Sequence, residues 1–123
     1  EYRRQRQMCI RDRVSITSHI LNGTDGTHAM NIPVRLVELK SQKLLVSGKT
    51  DGGGRLSLEI RSEDIYSSMA CELVFSLTEY WKLKEITGGI AEIALRFSVF
   101  QEERSYHLPV IINPHSYSTW ISS

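Results

Sequence analysis

The chain has 123 residues, a formal net charge of +1, and contents of 41% hydrophobic and 24% charged residues. These values predict one globular domain, large enough to bury a core without disulfide bonds. They argue against nucleic acid or a membrane as a partner, because the charge is nearly balanced and no apolar run approaches the roughly 20 residues of a membrane-spanning helix.

The first thirteen residues carry five arginines and no periodic pattern. Residues 1–13 are therefore predicted to be an extension outside the fold, either disordered or an artefact of sequence assembly. A basic arm that binds a polyanion is the alternative interpretation. The folded domain is predicted to span residues 14–123.

The first half of this domain alternates apolar and polar residues with a period of two, which predicts β-strands. The four predicted strands are Val14–Leu21, Pro33–Leu39, Leu44–Thr50 and Arg55–Ile60. A loop containing Gly, Asp and Asn follows the first strand through His28, and a turn with three consecutive glycines precedes the fourth strand. The alternation is clearest in the fourth strand, so Leu56, Leu58 and Ile60 are predicted to face the core.

The second half of the domain adds four strands and one short helix. The predicted strands are Cys71–Leu77, Ala91–Val99, Tyr106–Ile112 and Ser116–Ile121. After the first of these, Thr78–Lys84 is predicted to form one or two helical turns with Thr78 as the N-cap. Cys71 shares a strand face with apolar residues and is predicted to be a buried thiol. Short strands joined by turns predict an all-β fold, an antiparallel β-sandwich of seven to eight strands with one short helix.

Two histidines and one arginine lie on strand faces that do not carry the main apolar stripe. His19 lies on the opposite side of its strand from Ile16, His107 lies opposite Tyr106, and Arg55 occupies the same kind of position. A single histidine on a strand is usually a solvated or hydrogen-bonded structural residue. If the three side chains converge, an imidazole can take a proton from water, and the planar guanidinium can hold an anionic or carbonyl-rich substrate.

Five motifs, in this order and at this spacing, carry a family resemblance. They are Ser18-His19-Ile20-Leu21, Thr50-Asp51-Gly52-Gly53-Gly54-Arg55, Tyr80-Trp81-Lys82, Tyr106-His107-Leu108-Pro109 and Asn113-Pro114-His115-Ser116-Tyr117-Ser118-Thr119. Together they resemble the transthyretin-like family, in particular its 5-hydroxyisourate hydrolases. The resemblance runs from about Ser15 to the C-terminus and therefore covers the predicted domain.

The resemblance implies a sandwich of two four-stranded sheets, assembled as a homotetramer (a dimer of dimers) in which an outer sheet face lines a channel. It also implies hydrolysis of 5-hydroxyisourate, the product of urate oxidation in purine degradation, to a ureido-imidazoline carboxylate without a metal or cofactor. His19, Arg55 and His107 match the family's catalytic and substrate-binding positions. One histidine would activate water for attack on a ring carbonyl, the other would assist proton transfer, and Arg55 would orient the ring.

The last four residues depart from the family's usual ending, Tyr-Arg-Gly-Ser, which contributes to the site. Trp120 keeps an aromatic surface but offers only an N–H donor, and Ile121 lacks the charge and donors of arginine. Ser123 keeps the final hydroxyl. Trp120 and Ser123 are therefore predicted to contact substrate, and the altered ending predicts changed specificity, reduced activity or loss of activity.

Two other functions stay open at this point. The carrier branch of the family binds a small aromatic ligand in the equivalent channel, but it has Lys, Glu and Thr in place of the two histidines and the arginine. A β-sandwich with a structural or interaction role is the third interpretation. The cytoplasm is the default compartment, with the periplasm or the peroxisome as alternatives.

Overall fold

The computed structural model describes residues 13–66 and 68–122. Within these residues there are nine strands: β1 (Arg13–Asn22), β2 (Pro33–Glu38), β3 (Leu44–Lys49), β4 (Arg55–Arg61), β5 (Ser68–Ser76), β6 (Glu92–Phe100), β7 (Ser105–His107), β8 (Val110–Ile112) and β9 (Tyr117–Thr119). A short helix, α1 (Thr78–Leu83), follows β5, and a 3-10 turn (Ser62–Asp64) follows β4. The predicted all-β fold with one short helix is confirmed.

The strands form two sheets that share one core. The first sheet has the order β4-β1-β8-β9, with β7 also paired to β1, and the second has the order β3-β2-β5-β6. Side chains from both sheets form a single apolar cluster, as expected for a sandwich. Its largest fully buried members include Ile16, Ile20, Leu36, Leu73, Phe75 and Ile93.

The period-two pattern of β1 and β4 separates a core face from an outer face. In β4, Leu56, Leu58 and Ile60 are buried as predicted, and the residues between them are exposed. In β1 the even-numbered residues are buried, whereas the odd-numbered ones are exposed or partly buried. The outer face of the first sheet therefore carries the odd-numbered residues of both strands.

The predicted strand Tyr106–Ile112 is two strands, and both run parallel to β1. β7 pairs with residues 15–17 of β1, and β8 pairs with residues 20–22. The ladder breaks between them because Pro109 has no N–H, and because the Ser18 hydroxyl donates a hydrogen bond of 2.6 Å to the Leu108 carbonyl. The predicted antiparallel β-sandwich therefore also contains two short parallel pairings in its first sheet.

The short helix differs from its prediction at the N-cap. Thr78 is the first helical residue, and the cap is Leu77, without a side-chain hydrogen bond. The helix is held instead by Trp81, which is 2% exposed and joins the core. Within the described part of the chain, no helix is long and apolar enough to cross a membrane.

The predicted burial of Cys71 is confirmed, and burial raises the pKa of its thiol to about 11. At the N-terminal end, β1 begins at Arg13, one residue before the predicted domain boundary. The rest of the predicted extension, residues 1–12, lies outside the described residues.

Candidate functional site

His19 and Arg55 are direct neighbours on the outer face of the first sheet. The antiparallel register of β1 and β4 places His19 opposite Arg55. Side chains at directly opposite positions of an antiparallel pair have Cβ atoms about 4.5–5.5 Å apart. His19 is partly buried and Arg55 is exposed, so the imidazole and the guanidinium share an accessible surface. Arg55 also belongs to the wall of an open groove of about 560 Å³ between β3 and β4.

A tight turn before β4 determines where Arg55 lies. The Asp51 carboxylate accepts hydrogen bonds from the backbone N–H groups of Gly53 and Arg55, each at 2.9 Å. The bond from the Arg55 backbone is the main reason that the pKa of Asp51 is lowered. Gly54 has φ +71°, and a Cβ there would lie 2.5 Å from the Ile20 carbonyl oxygen. Glycine is therefore required for the turn to close over β1.

His107 reaches the same face from β7. The parallel register places His107 beside Thr17, two residues before His19. The Thr17 hydroxyl lies 2.8 Å from Nδ1 of His107 and donates to the Tyr106 carbonyl at 3.3 Å. The Thr17 hydroxyl therefore fixes the orientation of the His107 ring.

A third histidine, His28, also lies in this cluster, although it was not among the predicted site residues. The loop after β1 folds back, so that the Ala29 N–H donates to the Ile20 carbonyl at 2.9 Å and His28 lies opposite Leu21. Nδ1 of His28 is 3.1 Å from Nε2 of His19. A loop residue has no periodic signal that could reveal this contact before the hairpin-like return is known.

The cluster lowers the pKa of His19 below its ordinary value of 6.5. Burial is the largest cause because it disfavours the charged ring, and the positive charge of Arg55 is the next. His28 and His107 act in the same direction, whereas a hydrogen bond with the Gly53 backbone opposes them. Arg55, His28 and His107 therefore all lie close enough to His19 to affect its pKa. These four side chains form the candidate site.

The C-terminal residues lie next to His107. The backbones of His107 and Ser122 exchange two hydrogen bonds, of 2.8 and 2.9 Å. Trp120 and Ile121, just before this contact, are 55% and 51% exposed. Ser123, which was predicted to contact substrate, lies outside the described residues, so its role stays a prediction.

No group of three or more His, Cys, Asp or Glu side chains in residues 13–66 and 68–122 is arranged to hold a metal ion. The cluster instead combines imidazole nitrogens with a guanidinium. Such groups can exchange protons with water and stabilise negative charge on oxygen.

The fold and this cluster define a class of protein, a two-sheet β-sandwich that carries imidazole and guanidinium groups on the outer face of one sheet. The sequence profile described as the HIUase/Transthyretin family matches residues 16–121. The chain belongs to this family, as the motifs predicted.

Curated relatives agree with this assignment. The chain is 25% identical over 114 residues to 5-hydroxyisourate hydrolase from Pseudomonas aeruginosa. The alignment covers 88% of this chain and 90% of the relative. It is 27% identical over 115 residues to the protein of that name from Halalkalibacterium halodurans, covering 88% and 97%.

The structural comparison supports the fold. The structure of Klebsiella pneumoniae 5-hydroxyisourate hydrolase aligns with a TM-score of 0.74 and 22% identity, covering 89% of this chain and 99% of that one. A crystal structure of (S)-allantoin synthase aligns with a TM-score of 0.76 and 24% identity, over 90% of this chain and 44% of that longer chain.

Proposed function

We propose that the protein is an enzyme that hydrolyses 5-hydroxyisourate to the ureido-imidazoline carboxylate in urate degradation. The observation that carries the proposal is the convergence of His19, Arg55 and His107 on one outer sheet face. Family membership and the names of the curated relatives support the same reaction.

In the proposed reaction, water adds across a ring amide. One imidazole takes a proton from water while the water oxygen bonds to the carbonyl carbon, and negative charge develops on the carbonyl oxygen. The guanidinium of Arg55 stabilises that charge and orients the ring. The carbon–nitrogen bond then breaks, and the ring nitrogen takes up the proton that the first imidazole accepted, with the other imidazole assisting the transfer. The new carboxylic acid loses its proton to water, so one ring-opened product that carries a carboxylate is formed.

The state of His19 supports its participation. Its lowered pKa keeps the ring neutral at neutral pH, and only the neutral imidazole can accept a proton. The Thr17 hydroxyl fixes the orientation of the His107 ring. Trp120 and Ser123 stay the other predicted substrate contacts.

The deciding experiment generates 5-hydroxyisourate in situ with urate oxidase and follows its decay with the purified protein. We expect decay faster than the spontaneous rate. His19→Ala, Arg55→Ala and His107→Ala should each reduce kcat/KM by roughly 10²–10⁴-fold, the range of general acid–base contributions. His115→Ala is the control, because His115 contacts Gly89 in a separate loop. Decay at the spontaneous rate would rule out the hydrolase.

The alternative is a carrier that binds a small aromatic ligand in the channel of a tetramer. The exposed apolar pair Trp120 and Ile121, next to His107, is the observation that favours it. Calorimetric titration with a small aromatic acid would show binding without turnover if the protein is a carrier. Turnover of 5-hydroxyisourate would exclude a purely carrier role.

The proposed assembly is a homotetramer, a dimer of dimers, which acts on a small molecule. Its support in this chain is that β6, nine residues long, is an edge strand of the second sheet. Long unpaired edges expose backbone hydrogen-bonding groups, and a second copy can satisfy them. Sedimentation of a monomer at micromolar concentration would contradict this assembly. The cytoplasm stays the predicted compartment.

A further inference from the structure

The contact between His19 and His28 is a hydrogen bond between ring edges. Nε2 of His19 and Nδ1 of His28 are 3.1 Å apart, the ring centroids are 5.2 Å apart, and the ring planes differ by 24°. The centroid separation is close to its maximum for this contact, which is the nitrogen–nitrogen distance plus the two ring radii. The rings are thus nearly coplanar and meet edge to edge, as a shared proton between two lone-pair directions requires.

The contact uses one nitrogen of each ring. A bond between two imidazole nitrogens needs a proton on one nitrogen and a lone pair on the other. The tautomers of the two rings are therefore coupled, and the bond restrains the orientation of both.

We propose that His28 is a positioning residue of the hydrolytic site, which fixes the orientation of the His19 ring through the hydrogen bond between Nδ1 of His28 and Nε2 of His19. His28 is exposed, so its replacement removes no core side chain. This inference rests on the proposed hydrolase function only for its effect on turnover.

Two other groups of the site act on His19. Arg55 on β4 and His107 on β7 both act electrostatically on His19, and Asp51 is engaged with the backbone of its own turn. The contact with His28 therefore fixes the His19 ring relative to these groups.

Three variants test the proposal. His28→Ala removes both the hydrogen bond and the titrating ring. His28→Asn keeps an amide donor near the Nδ1 position but cannot take up a proton. His115→Ala is the matched control for removal of an exposed histidine outside the site.

The first readout is an NMR titration of the histidine ring protons, which needs no substrate. In His115→Ala, the His19 titration curve should match that of the wild type. In His28→Ala, the pKa of His19 should rise, because the electrostatic effect of His28 that opposes its protonation is gone. An unchanged His19 titration curve in His28→Ala would overturn the proposal.

The second readout is the pH dependence of 5-hydroxyisourate hydrolysis. His28→Ala should lower kcat by about tenfold with little change in KM, because a misplaced His19 loses part of the rate contribution of acid–base catalysis. His28→Asn should regain most of this loss, because its amide can still hydrogen-bond to Nε2 of His19. Equal loss in both variants would overturn the positioning role. If the wild type shows no turnover, the proposed function fails, and the NMR titration still decides the pairing.

Discussion

The hydroxyl of Thr17 on β1 lies 2.8 Å from Nδ1 of His107 on β7. Thr17→Val keeps the shape of the side chain but removes this hydroxyl, so the ring of His107 loses the hydrogen bond that orients it. We expect kcat/KM to fall by about tenfold or more, within the contribution of a correctly oriented acid or base. Thr17→Ser should retain most of the activity because it keeps the hydroxyl. Equal rates for Thr17→Val and the wild type would refute this role.

The lowered pKa of His19 predicts a pH dependence of stability. The folded protein protonates this ring less readily than the unfolded chain, whose pKa is near 6.5. The unfolded state therefore binds more protons below that pH, and the free energy of unfolding should decline from about pH 6.5 down to the folded pKa. Urea unfolding at pH 8 and pH 5 measures the decline. His19→Gln should reduce it and His115→Gln should leave it unchanged; the same decline in His19→Gln would exclude His19 as its source.

The guanidinium of Arg55 is expected to matter for its shape as well as its charge. Arg55→Gln should lower kcat/KM by roughly 10²-fold, as loss of an oxyanion-stabilising donor does. Arg55→Lys should restore only part of this, because a lysine lacks the planar fork. The control is Arg61→Gln, on the same face of β4 but ion-paired with Glu63 at the other end of the strand. A loss of similar size in Arg61→Gln would show that general surface charge is responsible.

Gly54 is predicted to be essential for the turn that positions Arg55. Gly54→Ala adds a Cβ 2.5 Å from the Ile20 carbonyl oxygen at φ +71°. We expect a loss of about 2 kcal/mol or more in the free energy of unfolding, from backbone strain and the clash. Gly52→Ala is the control in the same turn, because the nearest atom to its added Cβ, Sδ of Met30, is 4.0 Å away. Denaturant unfolding curves compare the two, and equal stabilities would contradict the prediction.

Restoring the family's usual residues in the C-terminal tail is expected to increase the rate of hydrolysis. The double variant Trp120→Tyr and Ile121→Arg recreates the residues that the family resemblance implies, beside the Ser122 contact with His107. An added arginine brings five donors to the site, so kcat/KM for 5-hydroxyisourate should rise by about tenfold, equivalent to roughly 1.4 kcal/mol. Leu83→Arg, at an exposed position in α1, controls for added charge. An unchanged or lower rate in the double variant would show that the present tail is already suited to its substrate.

Local periodicity predicted those parts of the fold and site that depend on strand faces alone. The alternation in β4 places Arg55 outward, and the same pattern in β1 places His19 outward. The pairing of β7 and β8 with β1 was not predictable, because it depends on long-range contacts and on the break at Pro109. His28 was missed for a related reason, since the return of its loop onto β1 leaves no periodic signal.

The parallel pairing of β1 with β7 also has a consequence for folding kinetics. Thr17 and His107 are 90 positions apart in the chain, whereas β5 and β6 can pair across a much shorter connection. Contacts between distant segments form late, because closing a long loop costs entropy before any contact compensates for it. During refolding, much of the second sheet can therefore assemble while His19 and His107 are still far apart. Recovery of the two-histidine site should then mark the last stage of folding, later than the first appearance of β-structure.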